Sequence, residues 1–166
     1  MKKYSVISNS TPLIAFIKKN ELSLLKNLFD EIIIPRAVYN EIINIPKGLN
    51  QEKKVLDEEI NKHWILIKDL KALKFPELNL GKGETEALNI CLNLNNPLLL
   101  IDEKKSRNIA ISLNIDILGT LGILAIMKKK GIKNEQQLLE NLDFLIQKNF
   151  YFSSEIILTF LQEIKK

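Results

Sequence analysis

Short apolar runs alternate with amphipathic segments along most of this chain. The runs have the length and composition of buried strands, and the segments between them repeat apolar residues at helical spacing. Strands that alternate with helices predict a parallel sheet of four or five strands with helices on both faces, a three-layer α/β/α sandwich. The predicted strands are 4–8, 32–34, 64–67, 98–101 and 115–118. The predicted helices are 13–29 (one or two), 37–43, 51–62, 84–92, 104–113, 121–130, 134–148 and one that begins at Ser153 or Ser154.

Small polar residues and glycines mark the ends of these helices. Asn9 to Thr11 offer a capping side chain just before Pro12, and Asn134 precedes the next-to-last helix. Gly131 is placed to end the helix before it. The residues 46–48 interrupt the helical pattern, 68–80 form a connector of uncertain form, and the charges of helix 51–62 are interpreted as solvated.

Composition and charge narrow the class of protein. The 166 residues are interpreted as one domain, and the net charge of +4 permits a polyanionic partner without requiring one. Cys91 is the single cysteine, which excludes disulfides and cysteine zinc sites and indicates a small buried side chain in a reducing cytoplasm. The sequence contains no apolar run long enough to span a membrane and no signal-like start, so a cytoplasmic protein is expected.

Polar residues follow three of the predicted strands. Asn9, Asp102 and Thr120 stand at or just after strand ends, and Glu84 opens the central helix. The carboxyl ends of parallel strands are where open α/β sheets place ligands, and Glu41 joins the group if its helix faces inward. Oxygen donors without histidine suit Mg²⁺ or Mn²⁺. The alternative for each acid is a local one, since a carboxylate near a helix start also stabilises the helix.

Five segments in this order resemble the PIN-domain superfamily, in particular its uncharacterised bacterial and archaeal branch related to VapC-type toxins. The resemblance covers nearly the whole chain. The segments are Ile7–Ile14, Ile34–Ile42, Gly81–Ala87, Leu100–Glu103 with Arg107, and Gly119–Gly122.

The resemblance implies a metal-dependent nuclease that acts on RNA. The four acidic positions of the family fall on Asn9, Glu41, Glu84 and Asp102, which implies that these residues hold Mg²⁺ or Mn²⁺ and that the three acids are catalytic. Asn9 departs from the pattern, because an amide oxygen can bind a hard cation but carries no charge. Related proteins that look like this one also carry asparagine there.

Three further residues are candidates for contact with the substrate. Ser10 and Thr120 match hydroxyl positions that the resemblance implies would order a water or a phosphate. Arg107 can contact a phosphate with two hydrogen bonds, or it can form a surface pair with Glu103 or another neighbour. No phosphate-binding loop or dinucleotide fingerprint is present in the sequence, which excludes nucleotide-cofactor enzymes.

Two functions remain open from the sequence. One is an active endoribonuclease, as the toxin of a toxin–antitoxin pair whose small partner covers the site. The other is a PIN-fold module, impaired at Asn9, that binds RNA or a protein without cleavage. A homodimer through the C-terminal helices, about 134–166, is also expected, the alternative being an ordinary intrachain core. The apolar residues behind that expectation are Leu138, Leu142, Leu145, Ile157, Phe160 and Leu161.

Overall fold

A five-stranded parallel sheet lies at the centre of the protein, as the alternating pattern predicts. The computed structural model describes residues 3–45, 51–76 and 79–166, so the predicted break at 46–48 lies outside the described residues. The strand order is β3-β2-β1-β4-β5. The strands are β1 (Ser5–Ser8), β2 (Ile32–Pro35), β3 (Ile65–Lys68), β4 (Pro97–Leu100) and β5 (Asp116–Leu118).

The helices follow the predicted segments closely. Residues 13–29 form one α-helix and a separate 3₁₀ helix, Leu22–Asn27. The described part of 69–80 contains neither helix nor strand. The α-helices are α1 (Ser10–Lys18), α2 (Arg36–Ile43), α3 (Gln51–Asn61), α4 (Lys82–Cys91), α5 (Lys104–Ser112), α6 (Thr120–Lys129), α7 (Glu135–Gln147) and α8 (Ser154–Lys165).

The register of the sheet brings the carboxyl ends of its strands to one level. On β1, Ile7 is paired with Ile33 of β2 and Leu99 of β4, and Ser8 is paired with Leu100. Ile7 and Leu99 are fully buried in a core that also contains Ala87, Leu88, Ile90 and Cys91 of α4. Burial raises the pKa of the Cys91 thiol to about 12, as befits a side chain that only packs.

The charges of α3 are not all solvated, which corrects the sequence interpretation. Glu59 is 6% exposed, and its Oε2 accepts a hydrogen bond of 2.7 Å from Nε1 of the buried Trp64. Its Oε1 accepts a bond of 2.7 Å from Lys62 Nζ. A buried indole N–H needs an acceptor, and Glu59 supplies it from five residues away.

The chain divides into two compact units, Met1–Ile117 and Leu118–Lys166. The second contains α6, α7 and α8, and Gly131 ends α6 at a φ of 69°, which confirms that prediction. The single-domain description stays a prediction.

Among the residues that the structure describes, no helix has both the length and the apolar character needed to cross a bilayer.

Most of the apolar residues behind the expected dimer are buried within the chain itself. Leu138, Leu142, Leu145 and Phe160 are at most 7% exposed, while Ile157 and Leu161 are half-buried. Burial of these four fits the alternative of an ordinary intrachain core, because a helical unit needs its own core. The homodimer stays a prediction.

Candidate functional site

Asn9 is held by its backbone at the carboxyl end of β1. Its N–H donates to the Leu100 carbonyl at 3.0 Å, which extends the pairing of β1 with β4 by one residue. Its own carbonyl accepts a 2.9 Å hydrogen bond from the Ser8 hydroxyl. The residue is 3% exposed, so its side chain lies in the protein and not in solvent.

The side-chain oxygen of Asn9 has no hydrogen-bond partner although it is buried. Asn9 immediately precedes α1, where an asparagine normally accepts a bond from the second or third helical N–H. Pro12 occupies the third position and has no N–H, and no capping bond forms, which corrects the expected cap. An unpaired buried acceptor costs about 1–3 kcal/mol, so this oxygen is a candidate to bind a water or a cation.

The loop that carries Asp102 is fixed on both sides of this residue. On one side, Arg107 Nη1 donates to the Ile101 carbonyl at 3.2 Å, a contact that neither alternative for Arg107 anticipated. On the other, the Glu103 carboxylate accepts from Lys105 N at 3.0 Å and from Ser106 N and Oγ at 2.7 and 2.9 Å. Asp102, which is half-buried, is thereby held just after the end of β4.

The pKa of Glu103 reflects this cap. Partial burial acts to raise the pKa, but the amides of Lys105 and Ser106 and the Ser106 hydroxyl outweigh burial and lower it from its ordinary value. Glu103 is therefore a local helix cap, as the carboxylate-near-a-helix alternative describes.

The N-terminal half of α4 contains two carboxylates with different partners. Glu84 turns back on its own helix, where Oε2 accepts from Gly81 N at 3.0 Å. Glu86 reaches a different helix, since its Oε2 accepts from Ala37 N at 3.0 Å. The two acids therefore serve the starts of two different helices.

Glu41 extends from α2 to the start of α4. Its Oε1 accepts from Gly83 N at 2.9 Å, so this side chain of α2 reaches the start of α4. A Cβ atom on Gly83 would lie 2.6 and 2.7 Å from the two carboxylate oxygens of Glu41, closer than real contacts allow. The absence of a side chain at Gly83 is what lets Glu41 approach.

Two cations at the same edge are already tied to the segment before α4. Arg36 forms a double hydrogen bond with Asp69, at 2.9 and 3.2 Å, which lowers the pKa of Asp69 from its ordinary value. Lys105 Nζ donates to the Asn79 carbonyl at 2.7 Å. Both pairs are exposed, so they contribute little stability but hold cations beside the strand ends.

The structure brings the predicted residues to this edge in two pairs. Asn9 and Asp102 follow neighbouring strands. The carboxylates of Glu41 and Glu84 each accept from a backbone N–H at the start of α4. The Glu86 contact with Ala37 places that start beside the end of β2. Ser10 follows Asn9 and is half-buried; Thr120 belongs to the second unit, where it is buried as the first residue of α6.

Among the described residues, no three histidine, cysteine, aspartate or glutamate side chains are close enough together to hold a metal ion. The convergence of Glu41, Glu84 and Asp102 on one ion therefore stays a prediction. The donors nevertheless fit a hard cation, because Mg²⁺ is usually held by one or two carboxylates with water completing its shell. The orphaned Asn9 oxygen is a suitable further donor.

Comparison with known families gives one match across the fold. A family model described as a PIN domain, DUF3368, matches residues 5–166, which include every strand and helix described above. No curated protein matches the chain.

Proposed function

Because this chain belongs to the PIN-domain family, whose members have a nuclease-type fold and typically use divalent metals, we propose that it is a metal-dependent endoribonuclease. It hydrolyses RNA phosphodiester bonds at the carboxyl edge of the sheet. The observation that carries the proposal is the buried, unpartnered Asn9 oxygen at that edge. A bound cation would give this oxygen a partner, and Asp102 follows the neighbouring strand.

Asn9 and Asp102 would hold Mg²⁺ or Mn²⁺, with Glu41 and Glu84 completing the set directly or through water. A bound ion would supply charge neutralisation at the phosphate and a more acidic water. Glu41, Glu84 and Asp102 are the proposed catalytic acids. Their negative charge is what attracts the ion, and Asn9 adds an oxygen without adding charge.

The proposed phosphate contacts are Ser10 and Arg107. Ser10 presents a hydroxyl in the residue after Asn9, and Arg107 lies in the turn after Asp102. Arg107 spends one donor on the Ile101 carbonyl, and its guanidinium has four others to offer an RNA phosphate. A basic chain with a net charge of +4 favours such a polyanionic substrate.

A metal-titrated cleavage assay on a mixed RNA pool tests this function. We expect slow cleavage by the wild type with Mn²⁺, tighter metal binding and faster cleavage by Asn9→Asp, and loss of both in Asp102→Asn. Asp30→Asn is the matched control, because Asp30 is exposed just before the opposite end of β2. Equal cleavage by all four proteins would show that the activity is contamination or lies elsewhere.

The second candidate is a module that binds RNA or a protein partner without cutting. The uncharged Asn9 favours it, because one charge fewer weakens the attraction for a divalent ion. Wild type that binds Mn²⁺ and RNA without cleavage, together with an Asn9→Asp variant that cleaves, would establish this alternative.

A toxin role for the nuclease would add a small antitoxin as partner, and it rests on the resemblance alone. Co-expression with the product of a neighbouring small gene tests it: growth arrest without that product and its relief with it are expected. A monomeric mass at micromolar concentration would contradict the homodimer.

A further inference from the structure

Two hydrogen bonds join α2 and α4, and in each of them a carboxylate of one helix accepts from a backbone N–H at the start of the other. Glu86 of α4 accepts from Ala37 N of α2, and Glu41 of α2 accepts from Gly83 N of α4. We propose that Glu86 and Gly83 are positioning residues that together set where the Glu41 carboxylate lies. The proposal rests on the function proposed above, for which Glu41 is a metal-binding acid.

These two bonds form because neither helix has a capping side chain of its own. Pro35 precedes α2 and offers no side-chain acceptor, so the second N–H of α2, that of Ala37, is left to Glu86. Gly81 precedes α4 and has no side chain, so the second N–H of α4, that of Gly83, is left to Glu41. Helix starts normally satisfy such N–H groups locally, and here two helices do it for each other through contacts between residues 42 and 49 positions apart.

The absence of a side chain at Gly83 serves this contact and no other visible purpose. Its backbone φ is not positive, so no left-handed conformation requires glycine. Alanine would favour the helix by about 0.5–1 kcal/mol where the position behaves like a helix interior. An alanine Cβ would, however, meet both Glu41 oxygens within 2.7 Å, so the carboxylate would have to move.

The hydrogen bond from Gly83 fixes the position of the Glu41 carboxylate but occupies only part of its acceptor capacity. One lone pair of Oε1 takes the amide hydrogen, and the remaining lone pairs of both oxygens stay available. The positive end of the α4 dipole also attracts the carboxylate to this place. Glu86 contributes by fixing the start of α2, four residues before Glu41, so a change at Glu86 is expected to reach Glu41 through the helix.

The test compares Gly83→Ala with Gly81→Ala. At Gly81 a Cβ would meet Glu84 at 3.4 Å, an ordinary contact, so this variant controls for an alanine added at the start of α4. We expect Gly83→Ala to weaken Mn²⁺ binding about 10–100-fold, as supporting residues of metal sites do, without a lower melting temperature. Gly81→Ala should change the affinity several-fold less.

A second set of variants tests the Glu86 arm. Glu86→Ala should speed hydrogen exchange at the Ala37 amide and weaken Mn²⁺ binding. Glu86→Gln keeps an acceptor oxygen and should restore both values towards the wild type, a rescue that loss of general stability would not show. Mn²⁺ affinity that is unaltered in Gly83→Ala and Glu86→Ala would overturn the proposal.

A readout without metal separates this proposal from the proposed function. The side-chain carboxyl carbon of Glu41 gives an NMR signal that we expect to shift in Gly83→Ala and much less in Gly81→Ala. If the wild type bound no Mn²⁺ but this signal shifted, the proposed function would fail and the positioning would hold. If the wild type bound Mn²⁺ and the signal did not shift, the positioning would fail alone.

Discussion

The backbone N–H groups at the starts of α4 and α7 obtain their acceptors in opposite ways. At α7, Asn134 Oδ1 accepts from Gln137 N and Gln137 Oε1 accepts from Asn134 N, both at 2.9 Å. Every group in that cap lies within four residues. At α4, Gly83 receives its acceptor from Glu41, 42 residues earlier in the chain.

The difference separates a cap that stabilises only its own helix from one that couples two helices. A local cap stabilises its own helix and can be exchanged for another of the same chemistry. The α4 cap joins two helices and fixes an acid that the proposed chemistry uses. It should therefore couple distant residues energetically, which the α7 cap has no means to do.

The largest effect is expected at the contact between α2 and α4. Substitutions there should lower the stability of the protein, and the effects of two of them should not add. Glu86→Ala leaves the part-buried Ala37 N–H without its acceptor, which should lower the free energy of unfolding by about 1–3 kcal/mol. Combined with Glu41→Ala, the double-mutant cycle should give an interaction energy of about 0.5 kcal/mol or more, measured by urea unfolding. Strict additivity would show that the two contacts are independent and would remove the distinction from α7.

The next largest loss of stability is expected at the local cap of α7. Asn134→Ala should lower the free energy of unfolding by about 1 kcal/mol, because it removes the acceptor for Gln137 N. Asn134→Ser keeps an acceptor and should recover most of the loss in the same urea titration. A loss as large in Asn134→Ser as in Asn134→Ala would show that the side-chain oxygen is not what matters there.

Sequence reasoning predicted the features that are local. The five strands, the cap at Asn134 and the helix-end glycine at Gly131 all follow from patterns a few residues long. The reasoning also anticipated a carboxylate at the first turn of α4, where Glu84 turns back to Gly81. These features need no knowledge of what lies across the fold.

The rest depends on contacts between distant parts of the chain. Nothing near Glu86 indicates that its partner is Ala37, 49 residues earlier. Asn89, which is 1% exposed, was not singled out, although a polar residue on a buried helix face was the available signal. Its side chain bonds to both the N–H and the carbonyl of Phe75 and so fixes the segment before α4. The unpaired Asn9 oxygen has one local cause in Pro12, which removes one of the two N–H groups that could have capped it.

A pH dependence distinguishes a charged local cap from an uncharged one. The pKa of Glu103 is lowered in the folded protein, so its cap stabilises α5 above the ordinary pKa of glutamate, about 4.3, and is lost as the pH falls through the folded value. The difference in unfolding free energy between wild type and Glu103→Gln should be constant above about pH 5 and shrink below it. The difference between wild type and Asn134→Ala should show no such change over the same range, because the asparagine cap does not titrate.

The smallest effect is expected at the other end of α7, which is also capped locally. Asn149 has a φ of 63°, and the amides of Asn149 and Phe150 return to the carbonyls of Ile146 and Leu145, both at 3.0 Å. Glycine adopts this left-handed conformation without steric cost, but it gains freedom in the unfolded chain, so the two effects of Asn149→Gly nearly cancel. We expect a change in unfolding free energy of less than about 0.5 kcal/mol, whereas Asn149→Ala should lose about 1 kcal/mol, because alanine tolerates this conformation poorly. Thermal unfolding of the two variants measures the difference. Equal stability of glycine and alanine at 149 would contradict a left-handed residue there, and with it the description of α7 as a helix whose two ends are set by neighbouring residues alone.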